Sequence, residues 1–222
     1  MWMRRARFKR WIAPSRFFLS GPACRNEICH QHSVLFIADE VQSGFGRTGK
    51  LFASEHYGIE PDILVSAKSL GGGLPLAAIT GRAEIMDAPG PGGLGWTFAG
   101  NPVPCAAALV VLDLFEKENL LDRANELGRH FRRRAEEWPE RWPIVGDVRG
   151  LGGMQAVELV KPRESCEPAA EENQTGYAIL FEHGLITITA GSYSNLVRVL
   201  VPLVDTSEQM DEAMDVLEAA LQ

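Results

Sequence analysis

The sequence of 222 residues lacks any apolar run of about eighteen residues, the length that a membrane-spanning helix needs. Its N-terminus also lacks a long apolar segment followed by a small-residue cleavage site, which a secretory signal would show. We therefore expect neither a membrane protein nor a secreted one. The content of 45% hydrophobic and 23% charged residues is that of an ordinary globular protein.

Cysteine is also scarce. The four cysteines are scattered along the chain, at Cys24, Cys29, Cys105 and Cys166. Their spacing, alone or with histidine, matches neither a zinc site nor a disulfide framework. We therefore expect no metal site and reduced thiols in a cytoplasmic compartment. Cys105 lies in an apolar segment and is expected in the core rather than as a nucleophile.

Acidic residues are nearly absent from residues 1–33, although the chain as a whole carries a net charge of -7. This basic head has one acid, Glu27, against Arg4, Arg5, Arg7, Lys9, Arg10, Arg16 and Arg25. We interpret it as an atypical, poorly ordered extension. The alternatives are a mitochondrial targeting peptide and a patch that touches nucleic acid or membrane, although we expect neither of these as a partner.

Buried strands begin directly after the head. Residues 34–38 form an apolar run that ends at Asp39, as in a strand covered on both faces. A second such run at residues 62–67 ends at Lys68, and a third follows at residues 76–80. This pattern predicts an α/β protein with a parallel-type sheet.

Beyond these strands, residues 106–115 are apolar on nearly all sides, which predicts a helix buried between layers. From residue 144 the pattern is mixed α and β, and Thr206 with Gln209 predicts a capping box that opens the last helix. We place a boundary near residue 120, between part of a larger α/β domain at 34–119 and a small C-terminal α+β domain at 120–222.

Two reactive side chains follow neighbouring strands, Asp39 after the first and Lys68 after the second. Open α/β sheets bind ligands beyond the carboxyl ends of their strands. Lys68 lies between an apolar strand and a glycine run, a setting that favours a desolvated amine nucleophile and Schiff-base chemistry. From its position alone, Lys68 is equally compatible with a lysine that extends its ammonium into solvent at a strand end.

Four segments resemble, in order, motifs of the class III (ω-amino acid) aminotransferases, pyridoxal 5'-phosphate (PLP) enzymes of fold type I. They are LFIADEVQSGFGRTG at 35–49, PDILVSAKSLGGGLP at 61–75, GWTFAGNP at 95–102 and NLVRVLVPL at 195–203. The resemblance runs from about residue 34 to the C-terminus. It implies a PLP-dependent transferase-like large-domain remnant followed by the small C-terminal domain.

The resemblance also implies roles for five residues. Lys68 would hold the cofactor and shuttle the substrate proton, Asp39 would pair with the pyridine nitrogen, and Gln42 would hydrogen-bond near the ring hydroxyl. Thr97 would bind the cofactor phosphate of the neighbouring subunit, which implies a homodimer with shared sites. Arg198 would take the α-carboxylate of glutamate or 2-oxoglutarate. Taken alone, Thr97 fits a loop or helix-cap residue, and Arg198 fits a surface ion pair.

The segment Gly191-Ser192-Tyr193 and the Pro/Gly loop before Trp96 look most like 4-aminobutyrate aminotransferases. The expected reaction is therefore transamination of an ω-amino acid, 4-aminobutyrate, with 2-oxoglutarate. Other PLP reactions on the same scaffold, such as those of decarboxylases, aminomutases and racemases, stay open. So does a non-catalytic fragment that associates with a full-length relative.

The chain departs from the family in its length. A class III enzyme normally has as much chain again before the Asp39 motif, carrying early strands, the phosphate loop and the aromatic ring that stacks on the cofactor. None of this is recognised in residues 1–33. The resemblance therefore implies an N-terminally truncated chain, with unpaired strand edges and an exposed apolar face.

Overall fold

The computed structural model describes residues 21–93, 95, 97–161 and 165–222. Its elements form two sheets with helices between and around them. The helices are α1 Gly21–Gln31, α2 Ala83–Met86, α3 Pro102–Lys117, α4 Leu120–Ala135, α5 Trp138–Arg141, α6 Ala170–Glu182 and α7 Ser207–Ala220. The strands are β1 Ile37–Asp39, β2 Ile63–Ser66, β3 Ala78–Gly81, β4 Val145–Leu151, β5 Met154–Leu159, β6 Ile188–Ala190 and β7 Leu196–Leu200. Short 3₁₀ helices cover Ala53–Tyr57 and Lys68–Gly71.

The first sheet has the order β1-β2-β3. β1 and β2 are parallel, as the sequence predicts, but β3 runs antiparallel to β2. The cause is the short connection between β2 and β3, residues 67–77, which contains no crossover helix. Because a parallel crossover needs about a dozen or more residues, this connection returns the chain in the opposite direction.

The second sheet has the order β4-β5-β7-β6 and is antiparallel throughout. Helices α4, α6 and α7 pack on one of its faces around a core that includes Phe131, Trp138, Val157, Val197 and Met214. The predicted capping box is confirmed. Thr206 Oγ1 accepts from the Gln209 backbone N–H at 3.2 Å, and Gln209 Oε1 accepts from the Thr206 backbone N–H at 2.8 Å. This fixes where α7 begins.

The basic head differs from its prediction in the part that the structure describes. Residues 21–31 form the helix α1, where the sequence suggested a poorly ordered extension. His30 of α1 lies 3.5 Å from the carboxylate of Asp62, so the helix contacts the first sheet. The prediction for residues 1–20 lies outside the described residues.

Helix α3 is the second difference. Only Pro104 and Ala108 of α3 are buried, whereas Leu109 is 66% and Val110 is 57% exposed. Cys105 is exposed as well, so its predicted core position is wrong for this chain. The sequence signal for a helix between layers is clear, but the residues that the structure describes cover only one side of α3.

The edges of the first sheet also expose apolar side chains. Ile37 on β1 is 50% exposed and Ile79 on β3 is 56% exposed, and Leu35 before β1 is 49% exposed. Residues at the edge of a sheet offer unpaired backbone groups to other chains. Among the described residues, no helix has the length and apolar character that a membrane crossing requires.

The two sheets lie on either side of residue 120, yet contacts cross that position. Asn125 of α4 donates to the carbonyl of Gly49 at 2.9 Å, and Arg47 donates to the carbonyl of Val201 at 2.6 Å. The turn that follows β1 therefore packs against the C-terminal part. The boundary near residue 120 stays a prediction.

Candidate active site

Asp39 and Lys68 both lie at the carboxyl edge of the parallel strand pair. In register, Asp39 at the end of β1 lies opposite Val65 of β2, and Lys68 comes three residues after Val65. The structure thus places the two residues that the sequence singled out at the same edge of the sheet. This edge of a sheet is where open α/β proteins bind ligands.

Lys68 has a strained backbone. Its φ angle is 51°, in the left-handed region that residues other than glycine rarely adopt. It opens the 3₁₀ helix Lys68–Gly71, which ends on Gly72 with a φ of 57°. Strain of this kind costs about 1–3 kcal/mol and clusters at functional sites, where it aims a side chain.

An open cavity of about 640 Å³ lies beside Lys68. Its walls are the glycine turn after Lys68 and one residue from the turn after β1, and they comprise Arg47, Lys68, Ser69, Gly72, Gly73, Leu74 and Pro75. Lys68 itself is exposed, so the desolvation expected from the sequence is not supplied by the residues that the structure describes. Neither Thr97 nor Arg198 lines this cavity.

A buried carboxylate that the sequence analysis did not assign to the site fixes the turn after β1. Glu40 is 4% exposed, and its carboxylate accepts from the Ser54 N–H at 2.7 Å and from the Ser43 hydroxyl at 2.5 Å. Its own N–H donates to the carbonyl of Val65 at 2.9 Å. Because Glu40 ties the turn to β2, it holds Asp39 and Gln42 at the edge of the sheet. Gln42 is half-buried in that turn.

Asp62 performs a similar task at the other end of β2. Its buried carboxylate accepts from the Phe36 N–H at 2.7 Å and pairs with Arg82 at 2.8 Å. The Phe36 N–H, followed by Arg82, holds the pKa of Asp62 below its ordinary value, against the opposing effect of burial. The carboxylate thereby clamps the start of β1 to the start of β2, the strand that precedes Lys68.

Arg198 lies in β7, between Ala156 of β5 and Ile188 of β6. Its Nε is buried and has no hydrogen-bond partner among the residues that the structure describes. A buried donor without a partner is costly, so such a group marks a place where a ligand can complete the hydrogen bonding. The surface ion pair that was the alternative for Arg198 is not seen in the described part.

Thr97 lies in an exposed turn shortly before α3. The N-cap of that helix is Asn101, whose side chain accepts from the Val103 N–H at 3.0 Å, so Thr97 is not the cap residue. An exposed threonine outside the Lys68 cavity is compatible with a contact to a second subunit. Its predicted role stays a prediction.

The residues present fit a PLP-type cofactor in part. Lys68 and Asp39 stand at the ends of adjacent strands, and Lys68 lines the open cavity whereas Asp39 does not. The partnerless Nε of Arg198, which lies outside that cavity, suits an anionic group. The described residues include no aromatic ring in the lining of that cavity. The described residues therefore do not supply a stacking ring at this cavity.

Comparison with known proteins decides the family. The family model for class III aminotransferases matches residues 12–221. The chain belongs to the class III aminotransferases. The match begins well before residue 34, so the resemblance extends into the basic head, contrary to the expectation from the motifs.

Three relatives indicate the range of activities near this chain. It is 47% identical over 204 residues to the 4-aminobutyrate aminotransferase GabT of Escherichia coli, covering 90% of this chain and 48% of the relative. It is 46% identical over 194 residues to a leucine/methionine racemase of Thermococcus litoralis, covering 87% and 43%. The structure of the ornithine aminotransferase from Toxoplasma gondii, which has partial PLP occupancy at its active site, matches with a TM-score of 0.80, 34% identity and coverage of 91% and 47%.

The chain spans about half the length of the curated relatives it matches. The solved structures are likewise covered by about half. The fold class is therefore that of part of a PLP-dependent aminotransferase, with mixed α/β architecture, as the motifs imply.

Proposed function

We propose that this chain carries the lysine-bearing part of a PLP-dependent aminotransferase site that moves an amino group from an ω-amino acid to 2-oxoglutarate. The observation that carries the proposal is the placement of Lys68 and Asp39 at the ends of adjacent parallel strands, in a chain of the class III family. We propose 4-aminobutyrate as the donor, since relatives with that activity share 43–47% identity.

Bound PLP would supply an electron sink for the carbanion that forms when the substrate carbon loses its proton. Lys68 would bind the cofactor covalently through its amine and, once displaced by the substrate amine, carry that proton between carbon and cofactor. Asp39 would keep the pyridine nitrogen protonated, because a carboxylate next to it favours the cationic form. Gln42 would orient the ring through its hydroxyl.

Arg198 would bind the α-carboxylate of glutamate or 2-oxoglutarate. Its planar guanidinium suits bidentate contact with a carboxylate, and its partnerless Nε supports this assignment. Thr97 would reach the cofactor phosphate of a second subunit in a homodimer. We place the protein in the cytoplasm, or in the mitochondrion if the basic head acts as a targeting peptide.

Two other functions have specific support. The identity to a leucine/methionine racemase keeps a different PLP reaction in view. The chain spans about half the length of these relatives, and the second candidate is a non-catalytic product that associates with a full-length relative.

The first test is whether Lys68 binds PLP covalently. PLP is added to the purified chain, the absorbance of the lysine adduct is recorded, and borohydride traps it for mass spectrometry. We expect a single modified site in the wild type and none in Lys68→Ala. Lys50→Ala, which removes an exposed lysine of the turn after β1, is the matched control and retains the adduct.

The second test assigns the substrate. The PLP-loaded chain is mixed with 4-aminobutyrate, ornithine or β-alanine, and the loss of the lysine adduct is followed for each amine. The fastest loss is expected with 4-aminobutyrate. If the protein is soluble but forms no lysine-dependent adduct, the enzyme proposal is contradicted. If the loaded chain racemises an amino acid without transferring its amino group, the racemase reaction replaces transamination as the proposed function.

A further inference from the structure

Arg47 joins the two parts of the candidate site. It lines the cavity beside Lys68, and its Nη1 donates to the carbonyl of Val201 at 2.6 Å. Val201 directly follows β7, the strand that carries Arg198 three residues earlier. One side chain thus connects the wall of the lysine cavity to the end of the Arg198 strand, across 154 residues of sequence.

The backbone that carries Arg47 is fixed on both sides. Gly46 has a φ of 78°, and a Cβ there would meet the Phe115 ring at 2.5 Å. Thr48 is buried, and His56 Nε2 lies within hydrogen-bonding distance of its carbonyl oxygen at 3.0 Å and of its hydroxyl oxygen at 3.1 Å. These contacts fix the position of the Arg47 backbone, and therefore the point from which its side chain extends to Val201.

The segments around Val201, whose carbonyl accepts the hydrogen bond from Arg47, are also closely packed. A Cβ on Gly152 would meet the Thr48 carbonyl carbon at 2.5 Å, so the β4–β5 turn touches the Arg47 turn. A Cβ on Gly153 would lie 3.5 Å from Val201 and 3.9 Å from the Arg47 carbonyl oxygen. The bond from Arg47 therefore lies within a close approach of the turn after β1, the β4–β5 turn and the end of β7.

Arg47 is half-buried, and burial lowers its pKa, although an arginine guanidinium stays protonated at neutral pH. A charged donor in a partly desolvated place makes a stronger bond to a carbonyl than a neutral donor does. A second charged partner for Arg47 is not seen in the described residues. The carbonyl of Val201 is therefore the contact that orients its guanidinium.

We propose that Arg47 is a positioning residue that sets the separation of Lys68 and Arg198. The inference rests on the proposed function, since a substrate that reacts near Lys68 while its carboxylate is bound by Arg198 must span that separation. If the bond from Arg47 to Val201 is lost, β7 is held less firmly relative to the lysine cavity, and ligands that contact both sides bind more weakly. Ligands that contact one side only are unaffected.

The first measurement needs no cofactor. Hydrogen exchange of the whole chain is compared for wild type, Arg47→Met, Arg47→Lys and the control Arg133→Met, an exposed arginine of α4. In Arg47→Met we expect faster exchange in the peptides covering residues 44–52 and 199–205, with helix α6 unchanged as the internal reference. Arg47→Lys, which keeps the charge and a donor, is expected to recover part of the protection.

The second measurement separates positioning from a merely structural role. The PLP-loaded chain is titrated with glutarate, an unreactive dicarboxylate, and the shift in absorbance of the lysine adduct reports binding. We expect about a tenfold weaker glutarate midpoint in Arg47→Met, as for the loss of one charged hydrogen bond, with partial recovery in Arg47→Lys. The affinity for PLP itself is expected to stay within about twofold of wild type.

The outcomes separate this inference from the proposed function. An absent adduct in the wild type contradicts the proposed function, and the exchange experiment then decides alone whether Arg47 holds the two segments together. Unchanged exchange in both peptides of Arg47→Met overturns the inference. So does an equal glutarate midpoint in wild type and Arg47→Met when both carry the adduct. Should Arg47→Met fail to fold, Arg47→Lys is compared with the wild type by the same two measurements.

Discussion

The buried carboxylate of Asp62 accepts a hydrogen bond of 2.7 Å from the backbone N–H of Phe36, 26 residues earlier in the chain. The same carboxylate pairs with Arg82 at 2.8 Å and lies 3.5 Å from His30. One side chain thus joins the start of β1, the residue after β3 and helix α1. Strand β2, which leads to Lys68, begins directly after Asp62.

The first prediction concerns this clamp. Asp62→Asn keeps the shape but removes the charge that Arg82 and the Phe36 N–H stabilise, and we expect a loss of about 2 kcal/mol in the free energy of unfolding. Urea unfolding followed by tryptophan fluorescence measures the loss. Asp113→Asn is the control, because that aspartate is 65% exposed and pairs only with Lys117 on the surface of α3. An equal effect of the two changes would contradict the clamp.

The contribution of Asp62 to the free energy of unfolding should change with pH in one direction. The pKa of Asp62 is lower in the folded state than its ordinary value, so the unfolded chain binds the proton more tightly. The stabilisation is therefore fully present above the unfolded pKa and is lost as the pH falls through the folded one, from about pH 4 downwards. Asp62→Asn should flatten the acid side of the stability profile, and an unchanged acid limb would argue against the assignment.

A second prediction follows from the exposed face of α3. Leu109 and Val110 are more than half exposed, next to a sheet whose edges expose Ile37 and Ile79. Exposed apolar patches with unpaired strand edges favour aggregation. We expect the double change Leu109→Glu and Val110→Lys to reduce light scattering and dye binding by exposed apolar surface, without lowering the unfolding temperature.

The control for that change is Ala108→Glu on the same helix. Ala108 is 7% exposed and belongs to the small core around Phe45 and Leu70, so a glutamate there buries a charge. It should lower the unfolding temperature, in contrast to the two surface changes. If Leu109→Glu and Val110→Lys destabilise the chain as much as Ala108→Glu, the outer face of α3 is not free in solution.

The comparison of sequence and structure separates local from distant signals. The apolar runs before Asp39 and Lys68 predicted adjacent parallel strands, because a run of apolar residues is a local property of the sequence. The capping box of Thr206 and Gln209 was predictable for the same reason. The predicted burial of the two strands on both faces is wrong for the described residues, since Ile37 is 50% exposed and β2 is mostly half-buried. The first strand was misplaced only in its bounds, since the ladder begins at Ile37.

Other features depend on groups that are distant in sequence. β4 was not predicted because Gly146, Asp147 and Gly150 interrupt its pattern, and its pairing with β5 decides the structure there. The sequence of α3 is apolar on nearly all sides and so predicts a buried helix, but which of its faces are covered depends on packing partners that its own sequence does not specify. Glu40 and Arg47 were passed over because their partners, Ser54 and Val201, cannot be inferred from spacing.

A third prediction concerns the ion pairs between α4 and α7. Glu218 accepts from Arg134 at 2.7 Å and from the Trp138 indole at 3.1 Å, and its side chain is 16% exposed. Glu218→Gln should cost about 1 kcal/mol of unfolding free energy, less in high salt. Asp215→Asn removes a 71% exposed partner of the same arginine and should cost about half as much or less.

The stability contributed by Glu218 should depend on pH in the same direction as that contributed by Asp62. Arg134 is the largest cause that holds the pKa of Glu218 below its ordinary value, followed after the opposing effect of burial by the Trp138 N–H. Its contribution is thus present above the unfolded pKa and lost as the pH falls through the folded one. Thermal unfolding between about pH 3 and pH 6 should show a steeper fall for the wild type than for Glu218→Gln, and parallel curves would show that the pair contributes nothing.

The last prediction concerns Arg198 and the choice of acceptor. Its buried Nε has no partner in the described residues, and a guanidinium binds a carboxylate through two parallel hydrogen bonds that an ammonium cannot reproduce. In the PLP-loaded chain, Arg198→Lys should therefore weaken binding of glutarate by about ten- to a hundredfold, while the lysine adduct forms as before. Arg133→Lys, an exposed change on α4, is the control. Because the introduced lysine keeps the positive charge, a loss of affinity reports the hydrogen-bond geometry of the guanidinium rather than its charge. Equal glutarate binding in wild type and Arg198→Lys would place the carboxylate site elsewhere.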